Sequence, residues 1–140
     1  PHNNRHYARR ILAGIEAGGK PIFATGRVGT RSLVRHLRKG GVVSILLDEK
    51  YAEGECLPFL GFDALTSLSA AQLALKYDLP MIPAYGIRNE DGNSFCVDFE
   101  NPIPHTDSVT MTRAFNDSLS ARIMTHPDQW YWLLRRWGTK

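Results

Sequence analysis

The sequence predicts an α/β fold with a mainly parallel central sheet and flanking helices. Three observations carry that prediction. A continuous apolar run, Val42-Val43-Ser44-Ile45-Leu46-Leu47, has the composition of a strand covered on both faces. Apolar runs of this kind alternate with stretches of helical periodicity. Strands separated by helices imply right-handed crossovers between parallel neighbours.

Taken in order, residues 4–17 have a weak helical pattern with Ile11, Leu12 and Ile15 on one side, stopped by Gly18-Gly19. Residues 21–25 read as a short strand, and Gly26-Arg27-Val28-Gly29 as a turn. Thr30 can cap a helix over 30–39 that Gly40-Gly41 ends. After the 42–47 strand comes a long loop over 48–66. Ser67 or Ser69 caps an Ala-rich helix to Tyr77, which Asp78-Leu79-Pro80 terminates. Residues 81–87 form the next buried strand. The polar stretch around Asp91-Gly92 predicts a hairpin into 94–100. Helices over 110–124 and 127–137 close the chain, with Pro127 suited to a first helical turn. No internal repeat or domain boundary is visible, so residues 1–140 read as one domain.

The 140 residues can enclose one core. The hydrophobic fraction of 43% and the charged fraction of 22% are those of ordinary globular proteins, which excludes a low-complexity chain. No apolar run approaches the ~20 residues of a membrane span. The first ten residues are basic and polar, unlike a signal peptide. Cys56 and Cys96 stand far apart without a partner motif, which fits reduced cysteines and no metal knuckle. The net charge of +3 is a mild bias toward anionic partners and too small to indicate nucleic acid.

Four constellations could carry chemistry. Gly26 to Arg31 joins a strand to a helix start, where backbone N–H groups, Arg27 and Arg31 could hold a phosphate. No Gly-Lys-Ser/Thr follows, so it is not a Walker loop. An ordinary turn with solvated arginines is the alternative. Next, Arg31, Arg35, Arg38 and Lys39 share one helical face, as an anion-docking surface or a merely solvated one. Third, Asp48-Glu49-Lys50 follows the carboxyl end of the 42–47 strand, where sites form in open α/β sheets. A carboxylate there could orient a base, a hydroxyl or an amine; a charged loop is the alternative. Last, Trp130, Tyr131, Trp132 and Trp137 interleave with Arg135 and Arg136, as packing or as a membrane-interface belt. The five histidines, His2, His6, His36, His105 and His126, have no metal-ligand spacing, and no Gly-x-Ser-x-Gly elbow is present.

The run Leu46-Leu47-Asp48-Glu49-Lys50 continuing to Pro58-Phe59-Leu60-Gly61 resembles the lipid A biosynthesis lauroyl/myristoyl acyltransferases, of the lysophospholipid acyltransferase superfamily. Ala64-Leu65-Thr66, Leu79-Pro80-Met81-Ile82-Pro83-Ala84 and the block from His126-Pro127-Asp128-Gln129-Trp130 to Arg135-Arg136-Trp137 resemble its later segments, in the same order. The resemblance implies a glycerolipid-acyltransferase-like fold and transfer of a fatty acyl group from an acyl carrier protein thioester to a hydroxyl of a lipid A precursor. It implies work at the cytoplasmic face of the bacterial inner membrane, without metal or organic cofactor. It makes Asp48 a supporting catalytic residue and matches Arg27 or Arg31 to the superfamily's acceptor-contacting arginine; Glu49 and Lys50, beside Asp48, are further substrate-binding candidates, and Arg35, Arg38 and Lys39, by their shared helical face, are the anionic-surface candidates. Glu49 stands where the family usually has Gln.

The family's catalytic pair is His-x4-Asp/Glu. The positions five after the histidines are Tyr7, Ile11, Gly41, Thr110 and Tyr131, none acidic. The expectation is therefore a C-terminal portion, inactive alone, beginning after the motif and after the membrane anchor, with the segment at Asn3-Asn4 matching one downstream of the motif. The runner-up readings are a non-catalytic phosphate- or nucleotide-binding α/β module built on Gly26 to Arg31, and an interaction domain that binds anionic membranes.

Overall fold

A computed structural model of the chain describes residues 5–19, 21–24 and 26–138. Asn3, Asn4 and Thr25 lie outside the described residues, as does the side chain of Leu12. The chain divides into two compact units, residues 1–44 and 45–140.

The first unit contains helices α1 (Arg5–Gly18) and α2 (Arg27–Arg38). In α1, Ile11 is half-buried and Ile15 exposed. Helix α2 starts three residues earlier than Thr30. Thr30 is not its cap; its hydroxyl donates back to the Gly26 carbonyl at 3.1 Å. Gly29 is buried in the first turn, and a Cβ there would collide with the Ala24 carbonyl, so a glycine is needed for the chain to fold back so closely. The helix ends where Lys39, Gly40 and Gly41 donate to the carbonyls of His36 and Leu37.

The second unit holds hairpin β1 (Glu55–Phe59)–β2 (Phe62–Thr66), helix α3 (Ser69–Tyr77), hairpin β3 (Ala84–Arg88)–β4 (Phe95–Phe99) and helix α4 (Ser108–Thr125). Both hairpins are antiparallel, and they form separate two-stranded sheets. The expected mainly parallel sheet is therefore corrected: among the described residues the strands pair only with antiparallel neighbours. The mixture of helix and strand remains compatible with the α/β class.

Residues 21–24 and 42–47 are not strands. Val42 is 90% exposed and Leu46 82%. An apolar run has strand composition, but it becomes a strand only where another segment supplies a hydrogen-bonding edge.

The expected 48–66 loop instead contains the β1–β2 hairpin. Leu57 pairs with Ala64 and Phe59 with Phe62, leaving Leu60-Gly61 as a two-residue turn. Both turn residues have positive φ, 49° and 80°, the requirement of a turn that matches strand twist. Leu60 is a poor sequence signal for that conformation, and Pro58 argues against a central strand. Hence the hairpin is hidden in the sequence.

The β3–β4 hairpin forms as expected, although β3 starts at Ala84. Pro80 and Pro83 lack the N–H groups that a longer strand needs, and Met81 makes only a single bridge to Ile103. In its turn the Asp91 carboxylate accepts from the N–H groups of Asn93 and Ser94 and from the Ser94 hydroxyl. Those bonds hold its pKa below the ordinary value.

Helix α4 is capped by Asp107, whose carboxylate accepts from the amides of Val109 and Thr110 and from the Thr110 hydroxyl. The same bonds lower the Asp107 pKa. Helix α4 packs on both β1 and α3. One core cluster joins Phe59, Ala64, Tyr85, Leu119 and Ile123; a second joins Ala71, Ala74, Met81, Ile103 and Met111. Phe115 touches both. Beside the first cluster, Arg122 donates to Asp98 and Glu100 at 3.1 Å each, tying α4 to the second hairpin.

The expected helix over 127–137 is also corrected. Only Pro127–Gln129 forms a turn of 3₁₀-helix, and an irregular segment follows. Side-chain interactions outcompete the helix. Gln129 accepts from Arg88 N–H at 2.7 Å and donates to Arg88 carbonyl at 3.0 Å, satisfying both backbone groups as a neighbouring strand would. Trp130 and Trp137 pack on Phe59, each with ring centroids 5.7 Å away.

Candidate active site

The β1–β2 hairpin, α4 and the C-terminal segment meet at a buried polar node. The Arg136 guanidinium is 0% exposed. It lies 4.8 Å from the centroid of the Phe59 ring. Its Nη1 donates to the Leu65 carbonyl at 2.9 Å and its Nη2 to Thr66 Oγ1 at 2.7 Å. Thr66 Oγ1 also accepts from Asn116 Nδ2 at 3.3 Å and donates to the Ala64 carbonyl at 3.1 Å. That hydroxyl thus has one donated and two accepted bonds, its full capacity. Asn116 Nδ2 also reaches the Pro58 carbonyl at 3.0 Å, which connects α4 to β1. Trp137 Nε1 donates to the Phe59 carbonyl.

Three buried polar atoms around this node have no partner: Arg136 Nε, Asn116 Oδ1 and Trp130 Nε1. Burial pulls the Arg136 pKa below its ordinary value, and the negative charge of Asp48 acts in the opposite direction. An arginine nevertheless stays protonated. The node therefore holds a fixed positive charge that interacts electrostatically with Asp48.

Asp48-Glu49 forms a bend, with Asp48 and Lys50 half-buried and Glu49 exposed. Tyr51 N–H donates to the Leu65 carbonyl at 3.2 Å, the same oxygen that Arg136 holds. Gly54 N–H closes a turn onto the Tyr51 carbonyl at 2.8 Å. A Cβ on Gly54 would stand 2.5 Å from the Thr66 carbonyl oxygen, so this turn lies directly against β2.

The sequence candidates fall into two groups. Asp48, Glu49 and Lys50 are brought together on the bend in the second unit. Arg27, Arg31, Arg35 and Arg38 lie along one face of α2 in the first unit and are exposed, and Lys39 follows the helix. The C-terminal aromatics divide likewise: Trp130 and Trp137 pack in the core, whereas Tyr131 and Trp132 are 61% and 49% exposed. Arg136 is not one of the solvent-facing cations of an interfacial belt. Sequence reasoning missed Arg136, Asn116 and Thr66 as a unit. Its available signal was the sequence block around Arg135-Arg136, but a buried arginine and a surface one are spelled alike.

No metal-binding group of three or more His, Cys, Asp or Glu occurs among the described residues. No helix among them is long and apolar enough to cross a membrane.

The fold joins the bend after 42–47, the Pro58-Phe59-Leu60-Gly61 hairpin and the C-terminal block into one structure, the three segments whose order resembles a lipid-directed acyltransferase. A family model, bacterial lipid A biosynthesis acyltransferase, matches residues 1–139. The chain belongs to this family, whose members are transferases with an acyl donor and a lipid A acceptor. No curated relative matches the chain.

Proposed function

We propose that the polypeptide transfers a fatty acyl group from an acyl carrier protein thioester to a hydroxyl of a lipid A precursor. The reaction takes place at the cytoplasmic face of the inner membrane, and Asp48 supports it. The observation that carries the reading is the family match across residues 1–139, with Asp48 on the bend held against the buried node. In this reading the acceptor hydroxyl attacks the thioester carbonyl, its proton passes to a histidine base, and the thiol leaves. The family's base is the histidine of a His-x4-Asp/Glu pair, and no histidine of these 140 residues has an acidic residue five positions on. Asp48 orients a reacting group, and Glu49 and Lys50 beside it contribute to acceptor binding; Arg27 and Arg31 are separate substrate-binding candidates on the first unit.

Asp48→Asn keeps the shape of the side chain and removes its charge. In the natural full-length polypeptide it should lower turnover at least about tenfold, equivalent to about 1.4 kcal/mol of barrier. Unchanged turnover in a folded variant would mean that Asp48 is a loop charge only.

The exposed α2 arginines favour a second element of the same reading, docking on an anionic surface. Arg35→Glu combined with Arg38→Glu should weaken co-sedimentation with acidic liposomes and binding to acyl carrier protein. The difference should shrink as salt rises, because exposed charges are screened over about 10 Å at 0.1 M. Equal binding by wild type and variant at low salt would identify a solvated face.

A further inference from the structure

Arg136 is a full positive charge removed from water, and both acceptors it reaches, the Leu65 backbone carbonyl and Thr66 Oγ1, are neutral. Its Nε has no partner. A charge buried in that way is costly unless an opposite charge offsets it. Asp48 is the carboxylate whose field acts on it.

The backbone makes the same connection independently. The Leu65 carbonyl accepts both from Arg136 and from Tyr51 N–H, three residues beyond Asp48. Gly54 rests against the Thr66 backbone, whose hydroxyl is the second acceptor of Arg136. Lys50 Nζ lies 4.0 Å from where a Cβ on Gly138 would sit, which puts the other side of the bend beside the C-terminal segment. The bend and the C-terminal segment are therefore fastened to the same two residues of β2.

We infer that Arg136 is a positioning residue for Asp48: its buried guanidinium fixes the bend through Leu65 and Thr66 and supplies the counter-charge that sets where the Asp48 carboxylate sits. This rests on the reading that Asp48 supports acyl transfer. The role rests mainly on the charge and is sharpened by fork geometry, since one planar group spans two acceptors. Lysine keeps the charge and loses the fork, and methionine loses both.

The test is a double-mutant cycle in the natural full-length polypeptide, with kcat and KM for the acyl carrier protein thioester measured separately. Arg136→Met should lower kcat at least about tenfold and change KM less than about threefold, with Arg136→Lys restoring a substantial part of kcat. In the Asp48→Asn background, Arg136→Met should lower kcat no further, because the group it positions is already gone. A merely structural arginine would instead lower kcat by the same factor in both backgrounds, and that result overturns the inference while leaving the role of Asp48 intact. If Asp48→Asn alone leaves kcat unchanged, the functional reading of Asp48 falls and the inference falls with it.

Should Arg136→Met not fold, the reverse measurement uses the milder change. In Asp48→Asn, NMR hydrogen exchange at Arg136 Nε should become several-fold faster than in wild type, since the opposing charge that holds the guanidinium is removed. Identical exchange in the two proteins overturns the inference.

Discussion

A polypeptide extended upstream of Pro1 to include a His-x4-Asp/Glu pair is expected to turn over about 10²–10⁴-fold faster than residues 1–140 alone, the usual contribution of a positioned base. The argument is one of proton accounting. Attack by a hydroxyl on a thioester needs a group to accept the hydroxyl proton as the new bond forms. The sequence of 140 residues has five histidines, and the residue five positions after each is Tyr7, Ile11, Gly41, Thr110 or Tyr131. None can supply the carboxylate that orients the imidazole in the family's pair. Among the described residues, the His36 ring packs at a 50° tilt against Phe23, centroids 5.5 Å apart, and sits against Gly41. His105 lies near Asp78, with ring nitrogen and carboxylate 3.5 Å apart, but its other nitrogen is engaged with the Leu79 carbonyl at 2.9 Å. That arrangement ties the end of α3 to the segment before α4 and leaves no free imidazole nitrogen to take a proton. An isolated carboxylate is a weak base, with an ordinary pKa near 4, and does not replace imidazole. Both polypeptides should be assayed with acyl carrier protein thioester and a lipid A precursor. Comparable turnover by the shorter one would refute the family mechanism for this chain.

Phe59→Ala is expected to destabilise the second unit by about 3–5 kcal/mol, the range for deleting a buried phenyl ring. Phe59 is 1% exposed and belongs to the core cluster with Ala64, Tyr85, Leu119 and Ile123. Its ring is also the surface against which Trp130, Trp137 and the Arg136 guanidinium pack. Truncation removes apolar contacts and leaves a cavity beside a buried charge, two costs that act together. Domains are commonly stable by only about 5–15 kcal/mol, so such a loss removes about a fifth of the stability at the least. Phe62→Ala is the internal control. Its partner in the register is Phe59, yet Phe62 is 70% exposed, and a surface change of this kind usually shifts stability by no more than about 0.5 kcal/mol. Urea denaturation followed by tryptophan fluorescence separates the two variants. Equal midpoints would mean that the C-terminal aromatics do not depend on Phe59.

The helices show most clearly what was legible in the sequence. Helices α1, α2, α3 and α4 arise where local periodicity and stop signals place them, because each helix makes its own backbone hydrogen bonds and its apolar stripe is written at helical spacing. Their starts were less accurate. The expected cap Thr30 turned inward on Gly26, and Asp107 captured the start of α4 ahead of Thr110. The β3–β4 hairpin was legible through Asp91-Gly92, a turn signal with its own local chemistry.

By itself the sequence determined the family, helices α1 to α4, one hairpin and the chemical candidacy of Asp48, since all of these depend on residues close together in the chain. Only the tertiary structure decided which strands pair, because a strand's partner lies outside its own segment. It turned 42–47 into unpaired chain and the expected 48–66 loop into a hairpin around Leu60-Gly61. It likewise opened the expected C-terminal helix, where Gln129 bonds to Arg88 and two tryptophans seek Phe59. The fate of Arg136 follows the same logic: the residues that bury it, Phe59, Leu65 and Thr66, are some seventy positions upstream. Burial is a property of the residues that surround a side chain, and those neighbours are assembled by the fold.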